Sequence, residues 1–142
     1  MKVVLDVDVM VAAVRSRRGA SAAWLRAGLR REVEMLASLP LMLQYEAVLG
    51  RPEHGAARGL TKMEIARLLD GVAAAATPVV ISYLWRPVLR DPDDELVLET
   101  AINGVADLLL TFNLRDFEGA DRFAVEVMAP GPAWRAVMEV TK

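Results

Sequence analysis

The chain has 142 residues, 54% of them apolar and 25% charged, which marks a globular protein with enough material for a real core and excludes a disordered one. It has no cysteine and a single histidine, His54. That excludes disulfides, thiolate catalysis and cysteine-held zinc, argues against a histidine-rich metal site or a Ser-His-Asp triad, and leaves an oxygen-ligated metal as the surviving option.

The formal net charge of −2 conceals a division. Residues 1–31 carry Lys2 and six arginines against Asp6 and Asp8, a balance of +5, while residues 32–142 balance at −7. A basic region beside clustered acids suits a polyanionic substrate, although charges that merely solvate a helix face would read the same way. No stretch reaches the roughly 18 uninterrupted apolar residues that span a bilayer. Asp6 and Asp8 count against a signal peptide in the apolar N-terminal run. The sequence therefore reads as a single cytoplasmic domain over residues 1–142, with no membrane partner.

Lys2 to Asp6, KVVLD, is a short β-branched run that ends in an acid, and it predicts a buried strand with Asp6 at its C-terminal end. An ionised carboxylate there needs a partner. A helix is predicted over VMVAAV, with Asp8 as its N-cap or as a second acid of a site. Arg15, Arg17 and Arg18 form a basic loop, and Ser21 to Arg31 is a helix with Trp24, Leu25 and Leu29 on one face and Arg26, Arg30 and Arg31 on the other. Arginines in such a cluster can hold phosphates. Trp24 reads as core or dimer surface rather than as a platform for a base.

A second strand is predicted at Val33 to Ala37. Pro40 then opens a helix that Gly50 and Pro52 end, with Met42, Tyr45, Val48 and Leu49 as its apolar stripe. Gln44 and Glu46, two residues apart on that helix, cannot face one point. His54 sits in an RPEHG loop and reads as a surface residue. Thr61 and Glu64 form a capping box for a helix running to Ala76, with Met63, Ile65, Leu68 and Leu69 on its apolar face. Strand three is predicted at Thr77 to Tyr83, followed by a bridge through Trp85, Pro87 and Val88.

The stretch Leu89 to Phe117, LRDPDDELVLETAINGVADLLLTFNLRDF, gathers the chemistry. Asp91, Asp93, Asp94 and Glu95 stand at a predicted helix start, where Asp91 and Asp93 suit the helix dipole. The helix ends at Gly104, strand four runs from Leu108 to Thr111, and Asn113 and Asp116 follow it. Phe123 to Met128 is a predicted edge strand and Pro132 to Val140 a terminal helix with Trp134. The order β-α-α-β-α-α-β-α-β-β-α predicts a mainly parallel sheet between helices, with all strand ends that carry acids on one rim.

VVLDVDVMVAAV, LMLQYEAVLGRPE, LRDPDDELVLETA and ADLLLTFNLRDF together resemble the PIN-domain family of metal-dependent ribonucleases along essentially the whole chain. The branch they resemble is the toxin subunit of type II toxin–antitoxin modules, the VapC-like proteins. The resemblance implies a three-layer α/β/α sandwich and a carboxylate site for Mg²⁺ or Mn²⁺ that hydrolyses RNA. It further implies a cognate antitoxin and a homodimer, and the groove near Trp24 and the arginine-rich helix is where an antitoxin segment would be expected. Carried over, the site residues are Asp6, position 44, Asp94, and Asn113 with Asp116, with Thr111 as the hydroxyl residue at the end of strand four.

Two departures stand out. Gln44 replaces the family's Glu, and Val7-Asp8 replaces its Thr-Asn. Asp8 returns a charge close to where Gln44 removes one. In this reading Asp6 and Asp94 are direct ligands, and Asp116 and Asp8 are direct or water-mediated. Asn113 and Thr111 orient waters or carboxylates, Gln44 is a weak ligand or hydrogen-bonds a metal water, and Arg15, Arg17 and Arg18 meet the substrate. The alternative is a protein of the same fold with a weakened or lost metal site, acting by RNA or protein binding.

Overall fold

The computed structural model of the chain describes residues 1–51, 60–82, 89 and 91–139. Five strands, β1 (Lys2–Leu5), β2 (Glu34–Ser38), β3 (Thr77–Val79), β4 (Leu108–Leu110) and β5 (Glu126–Met128), form one sheet in the order β3-β2-β1-β4-β5. Every pairing in it is parallel. The helices are α1 (Val7–Arg15), α2 (Ala20–Leu29), α3 (Leu39–Leu49), α4 (Lys62–Ala75), α5 (Pro92–Asn103) and α6 (Pro130–Ala133), which continues into a π-helical segment, Trp134–Glu139. The predicted order of strands and helices is the one found. The chain is a three-layer α/β/α sandwich with a parallel central sheet.

The sequence explains the centre of this arrangement. In β1 and β4 the apolar residues do not alternate with polar ones, and Val3, Val4, Leu5, Leu108, Leu109 and Leu110 are all buried. A strand with this pattern is covered on both faces. Connections run from β1 outward to β2 and β3, then return across the sheet to β4 and β5. β1 and β4 therefore flank the point where the strand order reverses. In open parallel sheets that crevice, beyond the C-terminal strand ends, is where ligands bind.

Several expectations need correction in detail. The cap of α1 is Asp6, not Asp8: its side chain accepts a hydrogen bond from the Val7 N–H at 2.7 Å. Ser38 caps α3 by accepting from the Leu41 N–H, so that helix opens at Leu39. Met63, expected on the apolar face of α4, is exposed, while Ile65 and Val72 are buried. The Thr61–Glu64 capping box is formed as expected. Strand β3 stops at Val79, with Val80 exposed. Tyr83, the bridge Trp85, Pro87 and Val88, His54, Pro52 and Val140 lie outside the described residues.

Trp24 is fully buried. Its Nε1–H donates to the Pro130 carbonyl at 3.0 Å, and its ring meets Trp134 edge-on at 5.2 Å, which pins the C-terminal helix to α2. Trp24 is thus a core residue, one of the two places its sequence allowed, and its own ring is not open to a partner.

Gly104 closes α5 against the sheet. A Cβ there would stand 2.7 Å from Leu36 Cδ1 and 2.9 Å from Val79 Cγ2. Leu36 is fully buried and Val79 is stiff at χ1, so neither side chain can yield freely. Gly104→Ala is expected to cost about 1–3 kcal/mol of stability by overpacking, read from the midpoint of urea unfolding.

Candidate metal centre at the C-terminal rim of the sheet

Asp6 leaves β1 where the sheet ends. Its N–H donates to the Leu110 carbonyl at 2.9 Å, so the pairing of β1 with β4 fixes its backbone one residue beyond Leu5. The side chain is buried, with 5% exposure, yet held on both oxygens. Oδ1 accepts from the Val7 N–H, and Oδ2 accepts from the Thr111 hydroxyl at 2.7 Å. One residue therefore caps α1 and presents a carboxylate at the reversal point of the sheet.

Thr111, at the end of β4, is fully buried. Its Oγ1 also accepts from the Asn113 N–H at 3.0 Å, so the hydroxyl ties Asp6 to the turn after β4. Asp8 Oδ2 closes the same turn from the other side. It accepts from the Phe112 N–H at 3.0 Å and from Asn113 Nδ2 at 3.1 Å, with the Thr111 hydroxyl at 3.4 Å. Asp8 Oδ1 is buried and has no hydrogen-bond partner among the described residues.

The third acid arrives from α5. Asp91 caps that helix by accepting from the Asp93 N–H at 2.9 Å, and Pro92 occupies its first position. Asp94 follows in the first turn, half-buried. Burial raises its pKa to about 7, and the charge of Asp6 adds to this before those of Asp91, Asp116 and Asp93. A residue 88 positions away thus acts on Asp94 more strongly than its neighbours on the same helix turn. Burial likewise pushes Asp6 up to about 7, with the charge of Asp8 adding to it and the hydrogen bonds from Thr111 and Val7 opposing it. Burial also raises Asp8.

The structure therefore brings Asp6, Asp8, Thr111 and Asn113 into one hydrogen-bonded group, and it sets Asp94 within electrostatic reach of both Asp6 and Asp116. Gln44 belongs to α3. Tyr45, the next residue, donates its hydroxyl to the Leu5 carbonyl and so anchors α3 at the end of β1. Gln44 Oε1 is buried and has no hydrogen-bond partner among the described residues. Arg15 lines a pocket together with Asp8, and no ion pair joins Arg17 or Arg18 to the acids among the described residues. All three are exposed at the far end of α1 and in the loop after it, where the Arg17 carbonyl accepts from Arg26 Nη1 at 2.8 Å.

Sequence reading placed Glu95 among the acids of the helix start without foreseeing its burial, and passed over Glu99 and a buried hydroxyl pair. Glu95 and Glu99 are buried in α5, at 3% and 1% exposure, although the helix read as an apolar one with acids at its start. Glu95 Oε1 accepts from the Leu89 N–H, which ties the approach to the helix onto its first turn. Two glutamates four residues apart within an apolar run were the available signal. The Ser38–Thr100 hydroxyl pair at 2.7 Å, joining β2 to α5, had no sequence signal.

The donor set fits a hard divalent cation in chemistry and charge. Three aspartates raise one another's pKa or are raised by burial, none has a salt-bridge partner among the described residues, and two buried oxygens, on Asp8 and Gln44, lack partners there. Among the described residues no group of three acidic side chains is gathered closely enough to hold an ion by itself. A cation here would complete its shell with water or substrate oxygens, as Mg²⁺ ordinarily does.

The PIN domain family matches this sequence over residues 2–115. Among curated proteins none matches it significantly. Two solved assemblies contain chains of similar fold. One is VapBC2 from Rickettsia felis bound to a DNA fragment from its promoter, with a TM-score of 0.63 at 14% identity, covering 90% of this chain and 99% of that one. The other is FitAB bound to the IR36 DNA fragment, with a TM-score of 0.64 at 16% identity, covering 90% of this chain and 94% of that one. At these identities the likeness is one of fold.

The raised pKa of Asp6 has a thermodynamic consequence. A carboxyl that titrates near 7 when folded and near 3.8 when unfolded stabilises the fold below about 3.8, and that stability is lost as pH rises through about 7. Asp6→Asn keeps the helix cap and removes the charge. In EDTA at pH 8 the variant should be more stable than wild type, on the order of 1–3 kcal/mol, with the difference vanishing near pH 4. Denaturant unfolding at the two pH values checks this.

Proposed function

The chain belongs to the PIN-domain family, and on that premise we propose that it is a divalent-metal-dependent endoribonuclease, the toxin component of a toxin–antitoxin pair. The observation that carries the reading is the group of uncompensated carboxylates, Asp6, Asp94 and Asp116, at the reversal point of a parallel sheet. Both solved assemblies of similar fold are two-component complexes bound to DNA, which supports a cognate protein partner. The ions that suit these oxygen donors are Mg²⁺ and Mn²⁺. A homodimer and a cytoplasmic location belong to the same reading.

Asp6 and Asp94 would hold the ion directly, and Asp116, whose charge acts on Asp94, would hold it directly or through water. A bound divalent cation supplies Lewis acidity to a water nucleophile and charge to the departing oxygen of a phosphodiester. The protein's own work is positioning. The Thr111 hydroxyl and the Val7 N–H fix both oxygens of Asp6, and the Asp91 cap and Pro92 set the helix turn that presents Asp94. Asp8 holds the Thr111–Asn113 turn through Oδ2 and keeps Oδ1 for the site. Gln44 Oε1 is a neutral oxygen for the same site or for a water in it.

One observation favours a second reading, a PIN-fold protein that binds RNA or a partner without cutting. Gln44 stands where a carboxylate would give a charged ligand, and a neutral carbonyl oxygen holds a hard cation less strongly.

Cleavage of a structured RNA panel in Mn²⁺ separates the two. Wild type should cut, Asp94→Asn should lose at least about 100-fold in rate, and Gln44→Glu should cut at least as fast as wild type. Silence from wild type with activity gained in Gln44→Glu would establish the second reading.

A further inference from the structure

Beside the acids lies a separate cavity of about 480 Å³. It is lined by Val7, Val11 and Ala12 of α1, Val48 of α3 and Phe112, together with Asp8 and Arg15. Asp8 and Arg15 stand seven residues apart on one helix, about 10 Å along its axis. One end of the cavity therefore adjoins the acid site through Asp8. The other leads to Arg15 and onward to the exposed Arg17 and Arg18.

Phe112 is the unusual member. It follows the central strand β4 directly, yet its side chain is 52% exposed. Its backbone is held by Asp8 Oδ2, and the residues on either side, Thr111 and Asn113, are tied into the same hydrogen-bonded group. An aromatic ring is thus presented to solvent from a fixed turn, between a phosphodiester-cleaving site and a basic loop. A flat aromatic face with apolar walls suits any nucleobase, and the arginines beyond it suit the backbone of the same strand.

We propose that this cavity is a nucleobase pocket: it takes one unstacked base of a single-stranded RNA beside the phosphate at the acid site, with the base stacked on Phe112 and the strand running on toward Arg15, Arg17 and Arg18. The inference rests on the reading of the acid site as one that acts on RNA. A duplex cannot offer a base in this way, so the pocket selects loops and single strands. An apolar side chain of a protein partner would fit the same walls, but it would have no use for the basic track that continues from them.

The test is binding of a fluorescein-labelled single-stranded RNA decamer, read by anisotropy in EDTA so that no cleavage occurs. Wild type, Phe112→Ala and Phe112→Tyr are compared on the intact strand and on strands with one abasic position moved along the sequence. Phe112→Ala should weaken binding of the intact strand about 10-fold or more, and Phe112→Tyr should restore it to within about 2-fold. One abasic position should cost wild type a similar factor and cost Phe112→Ala nothing. Absence of RNA binding by wild type, no loss in Phe112→Ala, or the same loss on every abasic strand would overturn the pocket. Because the side chain is half exposed, an unchanged thermal midpoint in Phe112→Ala is expected and excludes unfolding as the cause. The outcome is independent of cleavage: a failed pocket leaves Mn²⁺-dependent cutting intact, and an inactive protein still gives a readable binding cycle.

Discussion

A buried carboxylate at the end of the central strand is the constraint on which this molecule is built. Asp6 has both oxygens satisfied by hydrogen bonds, from Val7 and Thr111, but no cation beside it among the described residues. Burying such a group is unfavourable unless its charge is removed or paired. The metal-free protein meets this by raising its pKa, and a bound divalent ion would meet it by supplying charge. Folding therefore leaves a local instability at the reversal point of the sheet, where a ligand can relieve it. The same hydrogen bonds that hold Asp6 also hold the turn that carries Asn113 and leads to Asp116, so the cost of burial and the geometry of the site come from one network.

Much of this was legible in the sequence, for identifiable reasons. The alternation of strands with helices announced a parallel sheet, the run KVVL announced a buried strand, and the Thr61–Glu64 pair announced a helix start. Asp6, Asp94 and the residues after β4 stood out because acids at strand ends and helix starts fall on one rim once the sheet is parallel. What stayed hidden depended on distant contacts. Asp6 and Asp8 both precede α1 and both can cap it. The choice is made by the Asp6 N–H bond to Leu110, more than a hundred residues away. Strand β3 read longer than it is, because TPVVISY has an apolar β-branched centre that runs past Val79 while its pairing with β2 ends there. Phe112 has no periodic signal at all; only the turn it sits in makes it conspicuous.

The pair Asp8 and Asn113 shows how a site can be rearranged without changing its outline. Asn113 Nδ2 donates to Asp8 Oδ2, so the carboxylate lies on α1 and the amide lies after β4. Exchanging the two residue types would move the charge from α1 to the turn after β4. With Gln44 neutral on α3, the negative charge of the site is shifted toward β1 and α1. In the proposed site Asp6, Asp8 and Asp94 would supply the charged oxygens for a cation, and Gln44 would supply only a neutral one. Asp8 carries that charge to the cavity that Phe112 and Arg15 also line.

The most direct test of the central claim is the thermal unfolding midpoint as a function of Mn²⁺ concentration at pH 8, for wild type and Asp94→Asn. A ligand that binds only the folded state raises the midpoint as its concentration rises. If the carboxylates at the rim are a cation site, wild type shows that rise and Asp94→Asn loses most of it. A flat wild-type response up to millimolar Mn²⁺, or an equal rise in both proteins, would contradict the account.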